Sequence, residues 1–252
     1  MKIGRFKVGD KIIWGTIKDN KILEIESPFE NQEIIGEIGF LEETKILSPV
    51  LPSKIVAVGL NYRDHAEELG MKIPEEPLLF LKPPSAVIGH NEFIILPKES
   101  KEIHYEGEMA VVIRKKIYRP KSFKEIKEAI LGYTCFNDVT ARDLQKKDGQ
   151  WTRSKSFDTF APIGPFIETE VDPNNLIIET RVNGKIVQKS NTNQLIFNVF
   201  ELIKFISNIM TLLPGDVIAT GTPPGVGPLK EGDIVEVYIE KIGNLRNFCK
   251  TL

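Results

Sequence analysis

The sequence predicts a mainly β protein with a few helices, the α+β class, on three observations. Short β-rich runs separated by turn residues fill most of the chain, and helical periodicity is confined to about 63–70, 122–130, 140–147 and 194–211. Strands and helices do not alternate as they would in a doubly wound sheet. With 252 residues, 41% of them hydrophobic, the chain can bury a core without disulfide or metal staples.

The first elements are hairpins. The runs "KIIWGTI" and "KILEIES" are bounded by Gly9-Asp10 and Asp19-Asn20, so residues 1–50 read as a small antiparallel β-rich module. The two prolines of "LSPVLPSK" mark a boundary, and residues 51–252 form a larger unit. That unit opens with the apolar strand "KIVAVGL" and continues through strands around "LLFLKP", "FIILP", "GEMAVVIRK" and "ILGYTCFND". The segment "IIETRVNGKIVQKS" is a hairpin turning at Asn183-Gly184. In "QLIFNVFELIKFISNIMTLL", Asn198, Glu201, Lys204 and Asn208 recur at spacings of three and four, which makes it an amphipathic core helix and not a membrane span. The strand "DVIATG" and two closing strands in "DIVEVYIEKIGNLRNFC" complete the chain.

Charge narrows the partners. Lys and Arg number 33 against 35 Asp and Glu, which leaves no basic field for a polyphosphate backbone, so no nucleic-acid partner is expected. The N-terminus has neither the apolar core of a signal peptide nor a membrane span, which predicts a cytoplasmic protein with no membrane partner. Cys135 and Cys249 lack a C-x-x-C spacing and fit reduced thiols, with Cys249 read as a surface thiol.

Four stretches carry residues suited to chemistry. In "IHYEGEMAVVIRKK", Glu106 and Glu108 lie two apart on a strand, hence on one face and roughly 6–7 Å apart, with His104 on the same face. Asp138 closes a strand in "GYTCFNDVTARDLQ", and a helical turn after it would align Asp138, Arg142 and Gln145 at i, i+4 and i+7. Read alone, Glu-x-Glu fits an exposed strand and Asp-x-x-x-Arg an ordinary helix ion pair. Together the three acids make a hard-oxygen site suited to Mg²⁺ or Mn²⁺. Only three histidines and no paired cysteines are present, so zinc is a poor alternative.

In "GLNYRDHAEELG", His65 and Glu68 fall at i and i+3, where a carboxylate can orient an imidazole; the plain alternative is a solvated helix surface. The following "GMKIPEEPLL" reads as a loop able to fold over a site. In "WTRSKSFDTFAPIGPF", Lys155 is either solvated or an ion-pair partner that holds an anionic substrate. In "ATGTPPGVGP", the prolines remove amide donors and no G-K-[ST] ending follows, which rules out a nucleotide cradle and leaves a rigid turn presenting Thr222 and nearby N–H groups.

These blocks, in this order, resemble the fumarylacetoacetate hydrolase superfamily from Lys54 to about Lys241, most of all its hydroxyheptadienedioate isomerase and acylpyruvate hydrolase members. The resemblance implies a mixed β-sandwich roll, a homodimer, and a metal-binding catalytic domain over 51–252. It implies Mg²⁺ or Mn²⁺ held by Glu106, Glu108 and Asp138, with Lys155 beside the metal. Arg142, Gln145, Gly221 and Thr222 would then face the oxo-acid substrate, and His65 with Glu68 would be the acid/base pair of a lid. The expected activity is hydrolysis of a carbon–carbon bond in an acylpyruvate-like 2-oxo or 2,4-dioxo acid. Decarboxylation of an oxaloacetate-like acid and keto–enol isomerisation in aromatic catabolism are alternatives, and a catalytically inactive metal-binding scaffold is a third.

Overall fold

Turn residues punctuate the start of the chain as their chemistry requires. In the computed structural model, which describes residues 1–251, Lys2–Val8, Lys11–Lys18, Lys21–Ile25 and Ile34–Phe40 form an antiparallel meander. Asp19 and Asn20 sit in the left-handed region at φ 51° and 63°, which these short polar residues tolerate. The meander does not stand apart as a sheet, because Lys2–Val8 also pairs with Ala161–Glu168 and so extends a sheet of twelve strands.

At the centre of that sheet Gly107–Ile113 lies between Ile130–Asn137 and Val217–Ala219, antiparallel to both. Met109, Val111 and Ile113 face one core cluster while Ala110 and Val112 face another, so the strand is buried on both faces. This is why "MAVVI" shows no alternation of apolar and polar residues. A second sheet of five strands runs in the order Lys185–Asn191, Ile177–Val182, Ile234–Ile239, Gly243–Thr251, Phe93–Leu96. Its first hairpin turns at Asn183 and Gly184, both at positive φ, with Val182 opposite Lys185. The chain is thus mainly β with few helices, a mixed α+β fold.

Among the described residues five α-helices complete it: α1 Arg63–Leu69, α2 Phe123–Glu128, α3 Arg142–Asp148, α4 Thr152–Lys155 and α5 Val199–Ile209. Two boundaries correct the sequence reading. The helix expected over 194–211 starts at Val199, because Asn198 and Glu201 form a capping box that satisfies its first N–H groups. Val199, Leu202, Ile203 and Ile206 are buried along α5, each contributing about 1.5–3 kcal/mol, so packing holds this helix more than propensity does. The helix expected from 140 starts at Arg142, because Thr140 and Ala141 pair with His104 and Ile103 as a strand. Asp138 therefore lies outside the helix and shares no helix face with Arg142 and Gln145. The one-turn α4 was not expected at all.

Cys249 is another correction. It is buried, because Leu245, Asn247 and Cys249 alternate inward along Gly243–Thr251. Burial pushes the thiols of both Cys135 and Cys249 up to about 12. Among the described residues no helix is long and apolar enough to cross a membrane.

Candidate active site

The strand carrying the two glutamates breaks at the first of them. Ile103–Tyr105 belongs to a small three-stranded sheet, and Gly107–Ile113 enters the large one. Glu106 sits at the joint, where its N–H donates to Asn137 Oδ1 (3.0 Å) and its carbonyl accepts from Asp138 N–H (2.8 Å). That folds the end of Ile130–Asn137 onto the joint and brings Asp138 to the two glutamates. Carboxylate oxygens of Glu106, Glu108 and Asp138 lie within 4.8 Å of one another, and all three residues are buried.

Cations surround part of this cluster. Lys155 Nζ, delivered by α4, lies 2.9 Å from Glu106 Oε2 and 2.5 Å from Asp138 Oδ2. Arg142 donates to Glu106 and, at 2.5 Å, to Gln145 Oε1. Burial alone would raise the Glu106 carboxyl, but the Lys155 ammonium and Arg142 guanidinium outweigh it and hold the group at about 2. Burial would likewise depress Lys155, and Asp138 with Glu106 overcome it and keep its ammonium charged.

Lys82 is the residue that sequence reasoning missed. Its side chain has no exposure, and Nζ donates to Asp138 Oδ1 (2.5 Å) and Val139 O (3.2 Å). Burial, only partly offset by Asp138, lowers its basicity. A signal was present, since a lysine inside the apolar strand run "LLFLKP" must find a buried acid.

Glu108 differs from its neighbours. It receives one hydrogen bond, from Gly221 N–H (2.8 Å), and no ion pair among the described residues. Burial, with Asp138 and Glu106 close by, pushes its carboxyl well above the ordinary range. Gly221 can approach because it has no Cβ: one built there would lie 2.8 Å from Asn61 Cβ, and its φ is +97°. An all-oxygen trio with one carboxylate lacking a cation fits a hard divalent ion.

Across the same cavity, of about 350 Å³, lies α1. His65 Nδ1 is 2.8 Å from Glu68 Oε2, and Glu68 also accepts from Gly225 N–H (3.1 Å). The ring nitrogen left over is Nε2. Leu69, Met71, Leu78, Phe80 and Trp151 supply an apolar wall, while Arg142, Gln145 and Lys146 line the polar side. Thr222 lines the cavity too, but its hydroxyl is spent inside the fold: it donates to Gly107 O (2.9 Å) and accepts from Gln188 Nε2 (2.9 Å). His104 lies behind Arg142, between Arg142 Nε (3.5 Å) and Glu102 Oε1 (3.2 Å), and does not line the cavity.

Comparison with known proteins shows the family of the chain. Residues 54–249 match the family described as "Fumarylacetoacetate (FAA) hydrolase C-terminal", and residues 1–49 match "Rv2993c-like, N-terminal". A Mycobacterium smegmatis structure named 5-carboxymethyl-2-hydroxymuconate delta-isomerase superposes with TM-score 0.94 at 43% identity, covering 100% of both chains. The rat mitochondrial protein named oxaloacetate tautomerase Fahd2a is 46% identical over 81% of this chain and 69% of its own. A Sphingobium structure, maleylpyruvate hydrolase in complex with manganese(II) and pyruvate, superposes with TM-score 0.82 at 29% identity, covering 100% of this chain and 99% of its own.

Proposed function

Because the chain belongs to the fumarylacetoacetate hydrolase family, we propose that this enzyme is divalent-metal-dependent and acts on 2-oxo or 2,4-dioxo acids. The observation that carries the reading is the convergence of Glu106, Glu108 and Asp138 within 4.8 Å on a cavity that His65 also lines. When bound there, Mg²⁺ or Mn²⁺ would supply Lewis-acid stabilisation of negative charge developing on the oxo acid. His65, held through Nδ1 by Glu68, exchanges a proton through Nε2. Lys155 and Arg142 offset negative charge from fixed positions, and the Phe80–Trp151 wall excludes water from the reacting carbon.

Keto–enol isomerisation is ranked first among the outcomes. Two relatives at 43% and 46% identity are named isomerase and tautomerase, against 33% and 29% for two structures named hydrolase. Carbon–carbon hydrolysis of an acylpyruvate, the first expectation from the motifs, is the second reading and needs water as well as His65. Decarboxylation asks least of His65. The family resemblance also supports a homodimer, which light scattering would test, and two free buried thiols support a cytoplasmic setting.

Oxaloacetate, acetylpyruvate and fumarylpyruvate assayed with Mn²⁺ and then with chelator separate these outcomes. Chelator-sensitive enol–keto exchange without cleavage products is expected. Cleavage products would replace isomerase with hydrolase or decarboxylase, and chelator-insensitive turnover would overturn the metal-dependent reading.

A further inference from the structure

Gly107 stands between the two glutamates, and its missing side chain points to the opposite face of the strand. A Cβ there would lie 2.0 Å from Thr180 Oγ1 and 3.3 Å from Gln188 Oε1. The hairpin of Ile177–Val182 and Lys185–Asn191 is therefore pressed against the carboxylate pair from behind. Gln188, 1% exposed, spends its whole amide at this contact. Its Oε1 accepts from Gly107 N–H (3.0 Å), and its Nε2 donates to Thr222 Oγ1 (2.9 Å) and Pro223 O (2.8 Å). Thr222 closes a ring by donating its hydroxyl to Gly107 O (2.9 Å). Both backbone polar groups of Gly107 are thus tied to the turn whose Gly221 N–H holds Glu108.

We propose that Gln188 is a positioning residue for the divalent cation, fixing through this ring the placement of Glu106 and Glu108 and the approach of Gly221 to Glu108. The inference rests on the reading of Glu106, Glu108 and Asp138 as the cation's ligands. Glutamine suits the task because it offers one acceptor and two donors on a stem long enough to cross from the hairpin to the strand. An ionised glutamate has no donor for Thr222 or Pro223, and an asparagine is one methylene short. Two residues along the same face, Ser190 Oγ donates to Asp64 Oδ2 (2.5 Å) on α1, so one strand braces both sides of the cavity.

The test is Mn²⁺ titration of the full chain as wild type, Gln188→Met, Thr222→Val and the double variant, with thermal unfolding in chelator. Asn247→Leu serves as a control, since Asn247 is also a buried amide with two hydrogen bonds but does not line the cavity. Gln188→Met should weaken Mn²⁺ binding roughly 10- to 100-fold, in the range seen when partners of metal ligands are removed. Thr222→Val should weaken it as well, and the double variant should lose less than the product of the two because both break one ring. Asn247→Leu should lower the unfolding temperature while binding Mn²⁺ as wild type does. Should Gln188→Met fail to fold, the affinity of Thr222→Val decides. Wild-type Mn²⁺ affinity in both ring variants, or equal weakening in Asn247→Leu, would overturn the inference. A wild-type chain that binds no Mn²⁺ would instead overturn the ligand reading, and this inference with it.

Discussion

Lys82 and Lys155 share Asp138, and the ammonium groups are among the most deeply buried in the molecule. Removing Lys82 leaves a buried carboxylate with one cation instead of two. Lys82→Met should cost about 3 kcal/mol in denaturant unfolding, the low end for breaking a buried pair, because Lys155 still faces Asp138. The closeness of Glu106 and Glu108 was legible from their spacing, whereas Asp138 and Lys155 were joined to them only by the family resemblance, since the residues alone left Lys155 open and put Asp138 on a helix face it does not share. Lys82 was signalled only by its place in an apolar run; its partner was not, because Asp138 lies 56 positions away and only the folded sheet brings them together. The His65–Glu68 pair was legible from its i, i+3 spacing, and the structure adds the Gly225 N–H that anchors Glu68. His65→Ala should lower turnover by roughly 10²- to 10⁴-fold while still binding oxalate as tightly as wild type. Equal turnover by that variant would remove His65 from the chemistry.

Elements were legible where the signal was local. Asp19-Asn20 and Asn183-Gly184 turn the chain as read, because φ > 0 is a property of those residues themselves. Residues 140 and 141 were misread as helix because their pairing with Ile103 and His104 is tertiary, which no local periodicity reports. A glycine between two acids, Gly107, leaves room for a close approach. The structure names what approaches, Thr180 and Gln188 of the hairpin, on the face away from the acids. Gly107→Ala should therefore destabilise the fold by about 1–3 kcal/mol through overpacking. Thr180→Ala in the same chain should recover most of it, since Thr180 Cβ is 3.4 Å from the new methyl, an ordinary contact. Thermal unfolding of the two variants checks this, and a failure of rescue would move the strain to the Gln188 Oε1 contact at 3.3 Å.

Across the whole molecule, the twelve-stranded sheet runs from the N-terminal meander to the strands whose ends carry the acids, so stability and site are coupled. That continuity depends on Lys2–Val8 meeting Ala161–Glu168, a pairing no local motif announces. The coupling has a pH signature. Glu106, held at about 2, contributes stability above its ordinary 4.5 that is lost as pH falls through that interval. Glu108, raised well above 4.5, contributes stability below that value which is lost as pH rises through its folded value. Cation binding needs Glu108 ionised, so in acid it must displace a proton. The rise in unfolding temperature caused by Mn²⁺ should shrink as pH is lowered toward the ordinary carboxylate range. Glu108→Gln should flatten the pH dependence of the chelator-treated protein and abolish the response to Mn²⁺. The most direct test of the three-carboxylate site is calorimetric titration of Mn²⁺ into wild type and into Glu106→Ala/Glu108→Ala, with circular dichroism to show that both are folded. One Mn²⁺ per wild-type chain and none per double-variant chain is the predicted result; a folded double variant that still binds one Mn²⁺ would contradict it.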